Sequence, residues 1–536
     1  MVRYVGGTRP GATHDLAIPF ESVRSLLDRY KARDPDKTAL YDLDQETSIT
    51  FGELHAEANR IANFLAERGI GKGDKVCVLS DERLEKIILW MGIWRAGAVI
   101  CPLNVEMNIA YIAEIVQSLA PKLTLWHQDM DGPRMTRGVA GDIMVFSTWR
   151  PAAARKFATD DADAGELFAR VAVYPAYPER GLENAPEDIG SIYCTSGTTD
   201  MPKLFVCDQL GHWLFGLSSI DFLDLTEDDR TLEYRSFGWN SAQGMSLMPW
   251  MQTGCTLYFA RRFSHSRFFD WIKTHGITFS VGIPTVINML LNEPVGVTAK
   301  DVPTLRLMSS STAPLAPERW QQFEDMYGIP VIQCYGSSEG GWVCGNRHDY
   351  KKKGTVGPPA KHQEFLIIDG DGNPCPPGVE GEVTLGGPQC VVASISAGGE
   401  WEDLRSQRIH LGDLAVMDAE GFVTVTGRLK DLIIRGGVNI SPSEIDNVVL
   451  RHPKVLEAAA VGVPDTIYGE EVVCYVVKRP GEALTDQEIK GHCAQTMPDY
   501  RIPKEVYFVD ALPKNDRGKI RRNDLKEIWQ REHPSA

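Results

Sequence analysis

Apolar residues fall into alternating rhythms along the first part of the chain. Leu84, Ile87, Ile88 and Met91 recur at the spacing of one helix face. On either side lie short apolar runs, Lys75-Val-Cys-Val-Leu-Ser80 and Ala98-Val-Ile-Cys101, of strand length. Strand–helix–strand alternation of this kind predicts βαβ units around largely parallel sheets. Residues 151–185 are rich in Ala, Asp and Glu with weak periodicity, and read as a surface excursion. The most apolar stretch, Ile87 to Leu103, is interrupted by Arg95, Gly97 and Pro102, so it reads as a helix followed by a strand and not as a membrane span. Near Gly427–Leu432 the pattern shifts to short strands (Ala458–Val463, Val472–Val477) and short helices. Ser441-Pro-Ser-Glu444 predicts a capping box with proline at the first helical position. Ile445, Val448 and Val449 supply the apolar face that follows, and His452-Pro453 the stop.

Composition narrows the class. The 536 residues, 43% hydrophobic and 24% charged, suffice for two or more domains with sizeable cores. A net charge of −16 argues against a broad nucleic-acid surface. The 11 cysteines form no C-x-x-C pair and no His/Cys ligand spacing, which predicts reduced thiols in a cytoplasmic protein. The N-terminus lacks the apolar core of a signal peptide, and the C-terminus carries no peroxisomal tripeptide.

Candidate chemistry concentrates in Ser191-Ile-Tyr-Cys-Thr-Ser-Gly-Thr-Thr-Asp-Met-Pro-Lys203. Thr195, Ser196, Thr198 and Thr199 offer hydroxyls, Gly197 permits a tight turn with N–H groups aimed at an anion, and Lys203 adds a point charge. No G-x-x-x-x-G-K-[ST] string occurs in the chain. On its own the segment reads either as a phosphate-holding loop or as an ordinary turn.

The segment resembles the signature loop of the acyl-adenylating superfamily, which contains acyl- and aryl-CoA ligases, nonribosomal adenylation domains and firefly-type luciferases. Thr195 to Thr199 and Pro202-Lys203 match, whereas Asp200 and Leu204 replace glycines of the pattern. By that resemblance the loop wraps the β- and γ-phosphates of ATP. Further segments match in the family's order. Leu305-Arg-Leu-Met-Ser-Ser-Ser-Thr-Ala-Pro-Leu315 resembles the adenine-facing strand and loop, which assigns Ser311, Thr312 and Ala313 to the nucleotide. Gln333-Cys-Tyr-Gly-Ser-Ser-Glu-Gly340 is similar to Tyr-Gly-x-Thr-Glu. It implies that Tyr335 and Gly336 meet adenine, that Ser338 replaces a phosphate-contacting threonine, and that Glu339 holds Mg²⁺, a cation suited to one or two carboxylates plus phosphate oxygens. Asp413, in Leu411-Gly-Asp-Leu-Ala415, matches an aspartate that accepts both ribose hydroxyls.

The longest match is Gly427-Arg-Leu-Lys-Asp-Leu-Ile-Ile-Arg-Gly-Gly-Val-Asn-Ile-Ser-Pro-Ser-Glu-Ile445. It implies ribose contact by Arg428, a hinge at Lys430, and approach of coenzyme A at Gly436 and Gly437. Leu512-Pro-Lys-Asn-Asp-Arg-Gly-Lys-Ile-Arg521 resembles the segment of the adenylation lysine, here Lys519. That ammonium would neutralise charge developing in the in-line transition state. Tyr234-Arg-Ser-Phe-Gly-Trp-Asn-Ser-Ala-Gln-Gly244 falls where the family often carries Phe-His-x-x-Gly, without the histidine. Trp239 and Asn240 there, Gly282 and Trp342 are expected to line the acyl pocket, with aromatic core packing as the rival reading for Trp239. Gly386–Arg408 lacks the family's usual Gly-Tyr-x-x.

The resemblance therefore implies an α/β fold. Its large N-terminal domain of βαβ-type layered sheets spans residues 1–428, and a small mobile α+β C-terminal lid spans residues 429–536. The implied activity is an ATP-dependent acid:thiol ligase using ATP, Mg²⁺ and coenzyme A. The alternatives are a freestanding enzyme that loads a carrier protein or an amine, and a catalytically lapsed nucleotide-binding module. The partners expected are a small carboxylic acid and CoA, with a homodimer as a family-level expectation.

Overall fold

The computed structural model describes residues 2–6, 14–151, 166–177, 184–194, 203–396, 398–514 and 520–533. Two eight-stranded sheets dominate. The first runs Trp401–Asp403, Ala393–Ile395, Leu204–Asp208, Ile189–Cys194, Val99–Leu103, Lys75–Leu79, Leu123–His127 and Asp142–Phe146 in spatial order. It is parallel from Ile189–Cys194 onward and antiparallel across its other edge. The second runs Gly341–Gly345, Val331–Ser337, Leu307–Ser310, Phe279–Ser280, Arg230–Glu233, Thr256–Phe259, Thr38–Asp42 and Thr47–Thr50, parallel except for its two outermost pairs.

The strand–helix–strand unit read from the apolar pattern is present: Lys75–Leu79 and Val99–Leu103 pair in parallel, joined by the helix Leu84–Arg95. Its surroundings differ from a one-faced helix. All of its residues are buried, including Trp90 and Trp94. One core cluster joins it to Val76 and Ile100 of the first sheet and Leu40 and Leu257 of the second. Lys86 and Arg95 of the helix are buried too and are paired, Lys86 Nζ with Glu82 Oε1 at 2.8 Å and Arg95 Nη2 with Asp28 Oδ1 at 2.8 Å, so the helix is packed on every side.

Residues 151–185 also depart from expectation where they are described. Leu167, Phe168 and Val171 of the helix Leu167–Val171 enter that same core. The Asn59 and Asn63 amides on the helix Phe51–Glu67 hold the carbonyls of Ala176, Pro175 and Tyr177. Three apolar residues in a polar context give too weak a period to be read.

Four antiparallel strands, Glu364–Ile368, Gly381–Gly386, Ile409–Met417 and Val423–Arg428, form a third sheet. Arg428 ends its last strand, a single turn spans Leu429–Asp431, and Ile433–Arg435 opens a different sheet. That sheet is built on the hairpin Val455–Asp465/Gly469–Lys478, longer than the apolar runs alone indicated, and is flanked by the helices Pro442–Leu450, Asp486–Cys493 and Arg522–Glu532. The helix after Ser441 begins where expected, with Pro442 first, but without a capping box. Ser441 Oγ instead donates to the Thr426 carbonyl at 2.6 Å, and Glu444 accepts from Arg501 Nη1 at 2.6 Å. Both side chains are thus spent on tertiary partners.

Candidate active site

In sheets of this kind ligands collect beyond the carboxyl ends of parallel strands. Three neighbouring strands of the second sheet, Phe279–Ser280, Leu307–Ser310 and Val331–Ser337, deliver Gly282, Ser311–Ala313 and Tyr335–Glu339 to one edge. Gly282 sits so close to the neighbouring strand that a Cβ would overlap the Ser309 carbonyl. Its N–H donates to Ser309 Oγ at 3.0 Å, and buried Ser311 donates to its carbonyl at 3.4 Å. Thr312 follows with φ of 71°. A β-branched residue in the left-handed region is strained, and such strain collects at ligand sites.

Tyr335 donates its phenol to Asp413 Oδ2 at 2.6 Å. Asp413 Oδ1 lies 2.7 Å from Arg428 Nε, and the two are register partners on adjacent strands. One carboxylate thus ties the end of the second sheet to the third. Burial, and then the Asp413 charge, push the Tyr335 phenol well above its ordinary value, so it remains a donor. Gly336 packs under Trp342, where a Cβ would meet the indole.

Glu339 follows Ser338 directly beyond the strand Val331–Ser337. Burial raises its affinity for a proton, and the Asp413 charge adds to this. Its own backbone N–H, Ser337 and Arg428 oppose the rise only in part. Its backbone is fixed, since the Glu339 carbonyl accepts from Val391 N at 2.8 Å. The Ser338 carbonyl accepts from Tyr193 Oη at 2.9 Å and Asn240 Nδ2 at 3.3 Å. Among the described residues Glu339 forms no ion pair, and no cluster of three or more His, Cys, Asp or Glu could hold a metal by itself. A half-buried carboxylate without an ion-pair partner among the described residues fits Mg²⁺ whose remaining ligands come from phosphate and water.

Tyr193 is the penultimate residue of the strand Ile189–Cys194, and the hydroxyl-rich segment follows it in sequence. Its bond to Ser338 ties the end of that strand to the Glu339 segment. Thr195, Ser196, Gly197, Thr198 and Thr199 lie outside the described residues, as does Lys519. Lys203 is exposed where the chain returns into Leu204–Asp208. Lys430 is exposed in the turn Leu429–Asp431. Gly436 and Gly437, with φ of 59° and 82°, form the two-residue turn between Ile433–Arg435 and Val438–Ile440. Positive φ at both positions is what such a hairpin requires, so their conformation is explained before any ligand is invoked.

Asn240 and Trp342 are buried, and the Trp342 indole lies against Gly244 on the helical stretch that begins at Asn240. Trp239 is half-buried against the cluster of Leu79, Leu103 and Val392. Several supporting residues carried no readable signal. Gln389 donates to the carbonyls of Gly340 and Trp342 at 2.9 and 2.8 Å, so the unusual Gly386–Arg408 stretch braces the site. Glu233 takes two bonds from Arg235, at 2.9 and 2.8 Å, and Arg235 Nη1 reaches Ser311 Oγ at 3.3 Å. Only the i, i+2 spacing of opposite charges at a strand end hinted at that pair.

Comparison with known proteins places the chain among relatives of similar length. Residues 27–393 match the AMP-binding enzyme family, and residues 444–519 match the AMP-binding enzyme C-terminal domain. A sulfoacetate–CoA ligase of Cupriavidus necator is 31% identical over 513 residues, covering 94% of this chain and 97% of that protein. An oxalate–CoA ligase of Arabidopsis thaliana is 30% identical over 520 residues, with coverages of 94% and 97%. Among solved structures, ATP-bound MatB from Rhodopseudomonas palustris superposes with a TM-score of 0.83 at 25% identity, covering 95% of this chain and 99% of that one. No helix among the described residues is long and apolar enough to cross a membrane. The chain, matched over most of its length, belongs to the AMP-binding enzyme family.

Proposed function

We propose that this chain is an AMP-forming carboxylic acid–CoA ligase. The observation that carries the reading is the Tyr335–Asp413–Arg428 chain of bonds, set beside the half-buried Glu339 just beyond the strand Val331–Ser337. The kinship with ligases named for sulfoacetate and oxalate supports it.

A carboxylate resists attack by a thiol because its leaving group is poor. The ligase first lets a carboxylate oxygen form a bond to the α-phosphorus of ATP while the bond to the pyrophosphate oxygen breaks. The CoA sulfur then attacks the carbonyl carbon of the acyl-AMP, AMP leaves, and the thiol proton passes to solvent. Asp413 accepts the ribose hydroxyls, Arg428 holds Asp413 in register, and the Tyr335 ring covers adenine. The loop 195–199 and Lys203 hold the outer phosphates. Glu339 is placed to hold Mg²⁺, which when bound offsets charge on the phosphate oxygens. Lys519 stabilises the first transition state as a point charge between the carboxylate and the α-phosphate. Residues 429–536 then turn about Lys430, withdraw Lys519, and bring the Gly436–Gly437 turn to the acceptor's arm. One pocket so serves two reactions.

Lys519→Ala tests this reading. Pyrophosphate exchange should fall by about 100-fold or more, while thioester formation from supplied acyl-AMP largely survives. Equal loss of both half-reactions contradicts the assigned role, and substituting a holo-carrier protein for CoA separates the possible acceptors.

A further inference from the structure

The hairpin Val331–Ser337/Gly341–Gly345 turns through three residues, Ser338, Glu339 and Gly340. Carbonyls in so short a turn lie beyond the ladder and need partners from elsewhere. All three find one. The Ser338 carbonyl accepts from Tyr193 Oη at 2.9 Å and Asn240 Nδ2 at 3.3 Å. The Glu339 carbonyl accepts from Val391 N at 2.8 Å, and the Gly340 carbonyl from Gln389 Nε2 at 2.9 Å. Three of these four donors belong to one place. Tyr193 lies on the strand Ile189–Cys194, and Gln389 and Val391 stand just before the strand Ala393–Ile395 of the same first sheet. The first sheet thus holds the turn of the second.

Gln389 makes the most of these contacts. Its side chain is wholly buried. Nε2 spends both of its N–H groups, on the Gly340 carbonyl and on the Trp342 carbonyl at 2.8 Å. Oε1 accepts from Ser218 Oγ, on the helix Gln209–Leu223, at 2.9 Å. Carbonyls only accept, so the amide has one orientation. The two carbonyls it holds lie on either side of Gly341, whose φ is 64° and where a Cβ would overlap the Phe215 ring. The end of the turn is therefore fixed by bonds on both sides of Gly341 and by the ring packed against it.

A single carboxylate can hold Mg²⁺ with phosphate and water as the other ligands, but its placement then rests on the backbone that carries it. We propose that Gln389 is a positioning residue for the metal: by fixing the Gly340 and Trp342 carbonyls it holds the Glu339 carboxylate where Mg²⁺ on the ATP phosphates can meet it. The inference deepens the ligase reading and rests on its assignment of Glu339 to Mg²⁺. It also gives a task to the Gly386–Arg408 stretch, whose sequence departs from the family pattern. Residues that hold a metal ligand in place, without touching the metal, commonly set metal affinity by about 10- to 100-fold.

The test is the gain in ATP affinity that Mg²⁺ gives, read by isothermal titration of the full chain with ATP in excess EDTA and in excess magnesium chloride. Gln389→Met keeps the length of the side chain and removes both N–H donors. Its gain from Mg²⁺ should fall about tenfold below that of wild type, while its affinity for metal-free ATP stays at the wild-type level. Ser218→Ala leaves Gln389 in place but frees its amide, and should lower the gain by about threefold, the scale of one neutral hydrogen bond. Ser218→Ala decides if Gln389→Met does not fold. A merely structural role would depress both ATP affinities together and leave the gain unmoved, and that result overturns the inference. Glu339→Gln separates it from the reading beneath it. Loss of the gain in Glu339→Gln, with full gain in Gln389→Met and Ser218→Ala, would remove Gln389 and leave the ligase reading standing. A gain that survives Glu339→Gln would overturn the metal assignment of Glu339 and the role of Gln389 with it.

Discussion

Asp413 and Arg428 face each other across two adjacent antiparallel strands, their side chains 2.7 Å apart, while the second oxygen of Asp413 takes the Tyr335 phenol at 2.6 Å. The carboxylate is buried and the guanidinium is partly open to solvent. Tyr335 thereby has its orientation set by the residue proposed to bind ribose, which couples the adenine and ribose contacts. Asp413→Asn keeps the shape but removes the charge and half of the acceptor capacity. ATP affinity should fall about tenfold, or roughly 1.4 kcal/mol, the scale of a lost charge-assisted hydrogen bond. Isothermal titration with ATP checks it, and unchanged affinity would remove Asp413 from the ribose site.

Glu339 makes a prediction about pH. Its carboxyl is raised by burial above the ordinary range, so between the unfolded and folded values the folded chain holds a proton that the unfolded chain has released. Its contribution to stability is then greatest in acid, declines as pH rises through that window, and is lost above it. Glu339→Gln should accordingly melt higher than wild type at pH 7, with the gap closing toward pH 4, while exchange activity drops by about 100-fold. MgATP should close the gap from the wild-type side. Parallel melting curves across the range would show that Glu339 carries no such cost.

Much of the site was legible because its residues stand in short ordered strings at strand ends, where local order along the chain is spatial order along the sheet edge. Tyr335, Glu339 and Ser311 fall together for that reason. Asp413 and Arg428 were readable as separate residues, but their pairing is a matter of antiparallel register, which the strings do not encode. The capping signal misled for a physical reason. Ser441 sits beside Gly427, where a Cβ would collide with its hydroxyl, and the nearby Thr426 carbonyl outcompetes the helix N-terminus for it. Capping boxes formed at Thr50/Glu53 and at Thr485/Glu488, where Lys454 Nζ takes only Glu488 Oε1, at 2.9 Å, and Oε2 is left to accept from the Thr485 N–H. Gln389 and Tyr193 brace the site through carbonyl groups, and backbone acceptors carry no residue signature.

Away from the site, Glu324 is the strongest candidate for a structural charge. Burial alone would raise its carboxyl. Bonds from Lys351 at 2.7 Å, Lys353 at 2.6 Å, Val331 N at 2.9 Å and Trp320 Nε1 at 3.0 Å outweigh that and hold it at about 2. Its contribution is present above the ordinary glutamate range and is lost as pH falls toward 2. Glu324→Gln should cost roughly 1–3 kcal/mol at pH 7, because two ammonium groups and a backbone N–H lose a charged acceptor. The difference should shrink in acid. Denaturant unfolding at pH 7 and pH 3 measures both, and an equal cost at the two values would mean that the charge is not what stabilises.

Thr312 offers the sharpest separation of stability from activity. Its φ of 71° follows directly on the strand Leu307–Ser310 that presents Ser311 to the nucleotide. A non-glycine residue in this region costs roughly 1–2 kcal/mol, whereas glycine adopts it freely but loses about 0.5–1 kcal/mol of chain entropy on ordering. Thr312→Gly should therefore stabilise the protein slightly, by up to about 1 kcal/mol. If the strain serves to hold the turn in one shape for the adenine, the same substitution should raise the KM for ATP and lower adenylation. Thermal melting and exchange kinetics on the one variant read both quantities. A protein that gains stability and keeps its KM would show that the left-handed turn is incidental to binding, and one that loses stability would show that the Thr312 side chain makes compensating contacts worth more than the strain.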